Sequence, residues 1–264
     1  MFVKKAAVLL ACLSFAFCAS AQTKQRRAQA KDPKYQYNLG LVYLNQSGQN
    51  PANIDEAMKY FVKCLSLDAR YYLAWNAIGL AHSLKGNLDE SAKAFQKCLE
   101  IYPEFSEAHN NLGTIYQAQN KLDLAEAEFK TVLKDSSYQN RELPYYNLAR
   151  LYVVEDRLDD ALTSVDKSIR SMPRLAMAHN LRGLILEKQN KTAEAVPSYE
   201  QAVKLVPDDV TYSYNLAVAY FKTEEYAKAK DVFTRLAPRA TDPDMRDKIA
   251  QFLKMIGDKG DSQA

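Results

Sequence analysis

The sequence predicts an all-α fold, a right-handed superhelical solenoid of six helix-turn-helix repeats with a C-terminal capping helix. Aromatic, glycine and proline positions recur with a period of 34 residues. Within each period, the apolar residues follow the spacing of two successive helices, and a turn signal separates them. A fixed period of this length is typical of stacked repeats, in which each unit buries its apolar stripe against its neighbours.

The clearest copy of the repeat spans residues 72–105. In the predicted first helix, Trp75, Ile78 and His82 fall on one face. One face of the predicted second helix carries Leu88, Ala92, Phe95 and Leu99.

Glycine and proline mark the joints of this unit. Gly86 and Asn87 form the predicted turn, Pro103 ends the second helix, and Gly79 allows the two helices to approach closely. With Trp75 and Phe95, this pattern resembles the tetratricopeptide (TPR) repeat. The resemblance implies stacked helix pairs whose first helices line a concave, protein-binding groove.

The same positions recur along most of the chain. Two residues, Asn140 and Arg141, interrupt the frame, and a short insertion lies around residues 49–53 of the first repeat. Residues 244–256 place apolar side chains on one helical face and are predicted to form the capping helix, with 257–264 as a flexible tail. The six predicted repeats span residues 33–71, 72–105, 106–139, 142–175, 176–209 and 210–243.

Residues 1–21 are predicted to be a signal peptide. Lys4 and Lys5 precede an apolar run too short to span a bilayer, and residues 19–21 form an A-x-A cleavage site. The protein is therefore expected to be exported, to the periplasm or to the inner leaflet of the outer membrane. Cys18 leaves lipidation open as an alternative to a soluble form, although the bulky Phe17 stands where a lipoprotein signal needs a small residue.

Residues 22–32 form a basic linker, in which Lys24, Arg26 and Arg27 either remain solvated or contact anionic lipid headgroups. The whole chain has 35 basic and 32 acidic residues, a net charge of +3, and the two signs are interleaved. That balance argues against a nucleic-acid binder, which usually carries a basic stripe.

The few cysteine and histidine residues indicate core positions. Cys64 and Cys98 take the same place in successive repeats, too far apart for a disulfide, and are predicted to be buried. His82, His109 and His179 stand where other repeats have an aromatic residue. No metal, phosphate-loop or nucleophile motif is found in the sequence, so we expect no catalysis, no cofactor and no metal.

The first helices are expected to supply the binding groove. Its N-terminal third is unusually apolar, which favours an amphipathic helix or an apolar peptide as ligand, unless those side chains pack beneath neighbouring segments. Each repeat also has an asparagine that can pair with an extended peptide backbone or have only a structural role. The predicted groove residues are Tyr37, Asn38, Leu41, Leu44, Leu73, Asn76, Leu80, Leu84, Asn110, Asn111, Tyr146, Asn147, Asn180, Tyr214 and Asn215.

Six TPR-like units directly after an export signal resemble the pilotins of type IV pilus secretins, the PilF, PilW and Tgl group. A closer likeness is the interrupted frame after the third repeat, with Tyr138 in the connector ahead of Asn147 and Leu148. Cys18 falls where the group has its acylated cysteine. The resemblance implies binding of a secretin subunit by the first repeats and assembly of its multimer. A periplasmic scaffold or regulator of cell-wall enzymes is the alternative.

Overall fold

The computed structural model describes residues 29–261, and their side chains as far as Lys259. The predicted signal peptide, Cys18, Lys24, Arg26 and Arg27 lie outside the described residues. In the described part, no helix combines the length and the apolar character needed to cross a membrane. The helices are α1 Pro33–Asn45, α2 Ala52–Leu67, α3 Tyr72–Leu84, α4 Leu88–Ile101, α5 Ser106–Ala118, α6 Leu122–Lys134, α7 Glu142–Val154, α8 Leu158–Ser171, α9 Ala176–Lys188, α10 Thr192–Leu205, α11 Val210–Lys222, α12 Tyr226–Leu236 and α13 Pro243–Asp261, with a 3₁₀ turn at Ala237–Arg239.

The predicted all-α repeat fold is confirmed. Each odd-numbered helix from α1 to α11 begins at the first residue of a predicted repeat. Each is followed after a short turn by the second helix of the same repeat. Places within a repeat are numbered below from that first residue, so that Trp75 is at place 4, and the first-repeat insertion is left out of the numbering.

The chain divides into two compact units, which meet between Ala125 and Glu126 within α6. In the first unit, each of the helices α1 to α5 packs against the next. In the second unit, the same is true from α7 to α13. Neighbouring first helices also contact one another, α1 with α3, α3 with α5, and α7 with α9. Within each unit, first helices therefore form a continuous face.

Two helices of one repeat approach closely at place 8. A Cβ atom added to Gly79 would lie 2.6 Å from the Phe95 ring, and one added to Gly183 would lie 2.5 Å from the Tyr199 ring. Both rings are essentially inaccessible to solvent. The close helix approach predicted at Gly79 is confirmed, and it places a large aromatic ring directly on a helix backbone.

The turn within each of repeats two to six uses a left-handed residue at place 15. Gly86 has φ of 75°, and Asn120, Asp156, Asn190 and Glu224 have φ between 57° and 64°. Glycine and asparagine adopt this conformation readily, whereas a longer side chain is strained there. Glu224 is therefore the least suited of these five residues to its backbone conformation.

A side-chain contact ties successive repeats together at their turns. In the second, third and fifth repeats, the residue at place 14 donates a hydrogen bond to an aspartate at place 18 of the repeat before it. This contact gives three aspartates at the starts of second helices a structural role. The pairs are Lys85–Asp55 at 2.7 Å, Gln119–Asp89 at 2.8 Å and Gln189–Asp159 at 2.8 Å.

The C-terminal helix α13 extends five residues beyond the predicted end at Ile256, as far as Asp261. The sequence prediction had assigned residues 257–264 to a flexible tail. In the structure, Lys259 Nζ donates to the Tyr226 hydroxyl at 2.6 Å and lies 4.8 Å from the centre of that ring. This contact secures the last turn against α12.

Cys64 and Cys98 are free, fully buried thiols, as predicted. Burial raises the pKa of Cys64 to about 11 and that of Cys98 to about 12, because the thiolate would lose its solvation. Both residues therefore pack as small apolar side chains.

Replacement of Gly79 by alanine should destabilise the first unit by about 1–3 kcal/mol, because the Phe95 ring must move away from the new methyl group. The intrinsic helix preference for alanine works in the opposite direction. Gly48→Ala is the matched control, since its Cβ would meet no atom within 4 Å. Urea unfolding followed by circular dichroism measures both. Equal midpoints for the two variants would contradict the close-packing account.

Glu224→Gly should stabilise the chain by about 0.5–1 kcal/mol, because it relieves a left-handed non-glycine residue. Glu194→Gly makes the same chemical change at an exposed site within α10. At this site, the substitution should lower the free energy of unfolding by about 1 kcal/mol. Thermal unfolding of the two variants should thus shift in opposite directions, and a shared direction would refute the assignment of strain to Glu224.

Candidate protein-binding face

The first helices of the N-terminal unit, α1, α3 and α5, form the candidate site, here called the first-helix face. On α3, Leu73, Leu80 and Leu84 are spaced seven and four residues apart and lie on one side of the helix. Leu84 is 60% exposed. Leu73 and Leu80 are half-buried. The side of α3 predicted to bind a ligand is thus apolar and accessible.

Helix α1 adds Tyr37, Leu41 and Leu44, all half-buried. They pack against the core cluster around Phe61. The Tyr37 ring centre lies 6.0 Å from that of Phe61 and 5.3 Å from that of Tyr71. Burial raises the pKa of the Tyr37 phenol, so it stays neutral. With the α3 leucines, these side chains form what we call the apolar patch: Tyr37, Leu41, Leu44, Leu73, Leu80 and Leu84.

Asparagine side chains on the first helices pair between neighbouring repeats. Asn111 Nδ2 donates to Asn76 Oδ1 at 3.2 Å, and Asn215 Nδ2 donates to Asn180 Oδ1 at 2.8 Å. Both pairs join place 5 of one repeat to place 6 of the next. These four asparagines therefore have a structural role between repeats.

The other predicted groove residues differ in their accessibility. Asn38 is exposed, whereas Asn110, Tyr146 and Asn147 are half-buried. Asn180 is only 9% exposed. Its position in the core of the second unit makes it a packing residue more than a ligand contact.

Tyr214 lies under the terminal helix rather than on an open groove. Its ring centre is 6.4 Å from that of Phe252 in α13, and Phe252 also contacts Phe221 at 5.1 Å and stacks on Phe233 at 5.0 Å. The sequence analysis placed Tyr214 in the groove from its position in the repeat. It could not predict the contact with Phe252, because α13 does not follow the repeat pattern.

Val42 is an exposed apolar residue that the sequence prediction missed. It is 51% exposed and stands at place 10 of α1. At this place, later repeats pack against the repeat before them, and no earlier repeat lies among the described residues. Its counterparts are all buried: Ala81, Ile115, Leu151, Ile185 and Ala219.

In four repeats, a side-chain nitrogen of the residue at place 4 forms a hydrogen bond with the main-chain carbonyl oxygen six residues earlier. This accounts for two of the three histidines as structural residues, since His109 and His179 take part. The bonds are Gln36 Nε2 to Ala30 O at 3.1 Å, Trp75 Nε1 to Ala69 O at 3.3 Å, His109 Nε2 to Pro103 O at 2.8 Å and His179 Nε2 to Pro173 O at 2.9 Å.

A helical array with an accessible apolar face defines a class of protein, the repeat scaffold that binds other polypeptides. Models of the tetratricopeptide repeat match residues 33–71, 72–105, 94–127, 146–196 and 180–244. The chain therefore belongs to the tetratricopeptide repeat family, whose members bind peptide or protein partners and are typically non-catalytic. Within the described residues, no group of three or more His, Cys, Asp or Glu side chains could hold a metal ion.

Two curated proteins share parts of this repeat region. The chain is 39% identical over 51 residues to the Hsp70-Hsp90 organising protein of Plasmodium falciparum. It is 31% identical over 108 residues to the mouse protein O-mannosyl-transferase TMTC3. These matches cover 19% and 39% of this chain but only 9% and 12% of the relatives.

Solved structures share the fold over more of the chain. Pseudomonas aeruginosa PilF has a TM-score of 0.74 at 16% identity, over 85% of this chain and 98% of its own. PilW, a type IV pilus biogenesis factor, has a TM-score of 0.69 at 16% identity, over 85% and 97%. YrrB, a TPR protein with an unusual peptide-binding site, has a TM-score of 0.55 at 17% identity, over 72% of this chain and 97% of its own. At these identities, the similarity is one of fold.

The Asn180–Asn215 pair should contribute a coupling energy of about 1 kcal/mol to stability, because removal of one amide leaves the other half-satisfied. A double-mutant cycle with Asn180→Ala and Asn215→Ala, read by urea unfolding, measures this coupling. Asn38→Ala, at an exposed position, should change stability by less than about 0.5 kcal/mol. Additive effects of the two alanines would show that the pair is not coupled.

Proposed function

We infer that this protein is a non-catalytic interaction scaffold of the bacterial envelope that holds a segment of a partner protein on its first-helix face. The accessible apolar patch is the observation that supports this most directly, with Leu84 60% exposed. A half-buried leucine row beside polar asparagines suits the apolar side of an amphipathic helix.

The partner we propose is a subunit of a type IV pilus secretin, so that the protein acts as a pilotin-like assembly factor. The sequence resemblance to the pilotin group supports this choice. The fold similarity to PilF and PilW, over 85% of this chain and nearly all of theirs, is consistent with it.

The cellular location we propose is the periplasm or the inner leaflet of the outer membrane, in keeping with the predicted signal at residues 1–21. In the soluble form, contacts of Lys24, Arg26 and Arg27 with anionic headgroups would hold the scaffold close to that membrane. In the alternative form, processing at Cys18 in place of cleavage at residues 19–21 would anchor it by a lipid.

Leu84→Asp should abolish capture of the secretin, because it buries a charge in the apolar contact. A loss of about 2 kcal/mol or more weakens binding more than tenfold. Leu80→Asp makes the same test one turn earlier in α3. The measurement is co-purification of a secretin subunit from envelope extracts, followed by a binding titration with the purified subunit.

Val62→Asp is the matched control. Val62 is 57% exposed, like Leu84, but it lies on the second helix α2. This variant should bind the secretin normally, and circular dichroism should show unchanged helicity in all three variants. Normal capture by folded Leu84→Asp and Leu80→Asp proteins would exclude the apolar patch as the binding site.

A further inference from the structure

A cleft of about 370 Å³ lies where the fifth repeat meets the sixth, and we call it the ring slot. Its apolar walls are Val203, Leu216 and Val232, from α10, α11 and α12. Ser213 and Pro207 also line the cleft. All these residues belong to the C-terminal unit, and none belongs to the first-helix face described above.

The ring slot opens where the sixth repeat lacks a large side chain. Place 4 is Ser213 in this repeat, a small residue only 7% exposed. The five earlier repeats have a bulky residue at that place: Gln36, Trp75, His109, Tyr145 and His179. The cleft therefore lies beside the one place-4 position of the six that has no bulky side chain.

The walls of the ring slot match the surroundings of a tryptophan elsewhere in the same chain. In the second repeat, Trp75 and Leu65 pack against a core cluster that includes Ile78 and Ala94. In this shared cluster, Leu65, Ile78 and Ala94 stand at places 28, 7 and 23. The residues at those places around the slot are Val203, Leu216 and Val232.

A main-chain acceptor in the ring slot makes only one long hydrogen bond among the described residues. The ring nitrogens of Trp75, His109 and His179 contact the carbonyl oxygen six residues earlier at 2.8–3.3 Å. For Ser213, the corresponding carbonyl belongs to Pro207, which a serine side chain is too short to reach. Arg239 Nη1 contacts the Pro207 oxygen only at 3.5 Å, while Nη2 of the same side chain donates to Asp208 O at 2.7 Å.

A cation is placed to cover an aromatic ring in the slot. In the fourth repeat, Lys167 at place 26 lies 5.7 Å from the centre of the place-4 ring of Tyr145. Place 26 of the sixth repeat is Arg235, which lines the cleft. A guanidinium group stacks favourably on the face of an aromatic ring.

We propose that the ring slot binds the side chain of a tryptophan presented by a partner polypeptide. The indole occupies the space of the missing place-4 side chain, its Nε1–H donates to Pro207 O, and Arg235 covers its face. Tryptophan fits better than histidine because three lining residues are aliphatic and the second repeat has a tryptophan, Trp75, at place 4. The proposal deepens the proposed function, in that it takes the ligand to be part of a protein.

Binding is tested directly with N-acetyl-tryptophanamide. Titration into the full chain, with labelled valine and leucine methyl groups observed by NMR, should shift Val203, Leu216 and Val232 saturably, with a dissociation constant on the order of millimolar. The 1-methylindole analogue lacks the N–H donor and should bind at least about fivefold more weakly. N-acetyl-leucinamide should leave the three signals unshifted. Equal shifts with all three probes, or none with any, would overturn the proposal.

Two variants separate the ring slot from general hydrophobic binding. Ser213→Trp should fill the slot, raise the melting temperature and abolish probe binding. Arg235→Gln changes a side chain that is 69% exposed, so the fold should be kept. The affinity for the probe should fall about threefold. Arg246→Gln, at an exposed position of α13, should leave binding unchanged. Unaltered affinity in Ser213→Trp or in Arg235→Gln would refute the assignment.

The titration needs no partner protein, so it can fail or succeed independently of secretin capture. Leu84→Asp should bind the probe like the unmodified chain, because Leu84 belongs to the first-helix face and not to the slot. Probe binding without secretin capture would keep the ring slot and reject only the proposed partner.

Discussion

In the first, second and fifth repeats, the distance between the two helices is set by an aromatic ring packed on a glycine backbone. Phe95 on Gly79 and Tyr199 on Gly183 leave no space for even one added carbon. Since the side chains at a contact fix how closely helices pack, this pair determines where the outer side of the first helix lies. The apolar patch is a consequence, because α3 can expose Leu80 and Leu84 only while its inner side is held by Phe95.

Polar contacts between repeats then fix how one helix pair sits on the next. Besides the contacts at places 4 and 14, Tyr152 donates to Glu126 and Tyr220 donates to Glu200, both at 2.6 Å. Burial opposes ionisation of Glu126, but hydrogen bonds from Lys130 and Tyr152 lower the pKa of its carboxyl group on balance. Apart from the bond of Gln36 to Ala30, each contact joins adjacent repeats, in line with the short range of interactions in repeat proteins.

The repeat period was sufficient to predict the helix pairs, the close approach at Gly79 and the buried cysteines, because those features depend on residues within one repeat. Features that depend on two repeats were harder to predict. Pairs such as Asn76 with Asn111 form only after neighbouring helices stack, so the sequence left their role open. Tyr214 was misplaced for the same reason, since its cover comes from Phe252 in a helix outside the repeat pattern. The serine at place 4 of the sixth repeat was a signal present in the sequence, and its meaning depended on the bonds that this place makes elsewhere.

The terminal helix also determines how fragments of this protein will behave. Phe252 shields Tyr214, Phe221 and Phe233, three aromatic rings at the end of the last repeat. A fragment cut before Pro243 would expose these rings to water and tend to self-associate through them. Dimers or larger species of such a fragment would then report the cut end and not the association state of the intact protein.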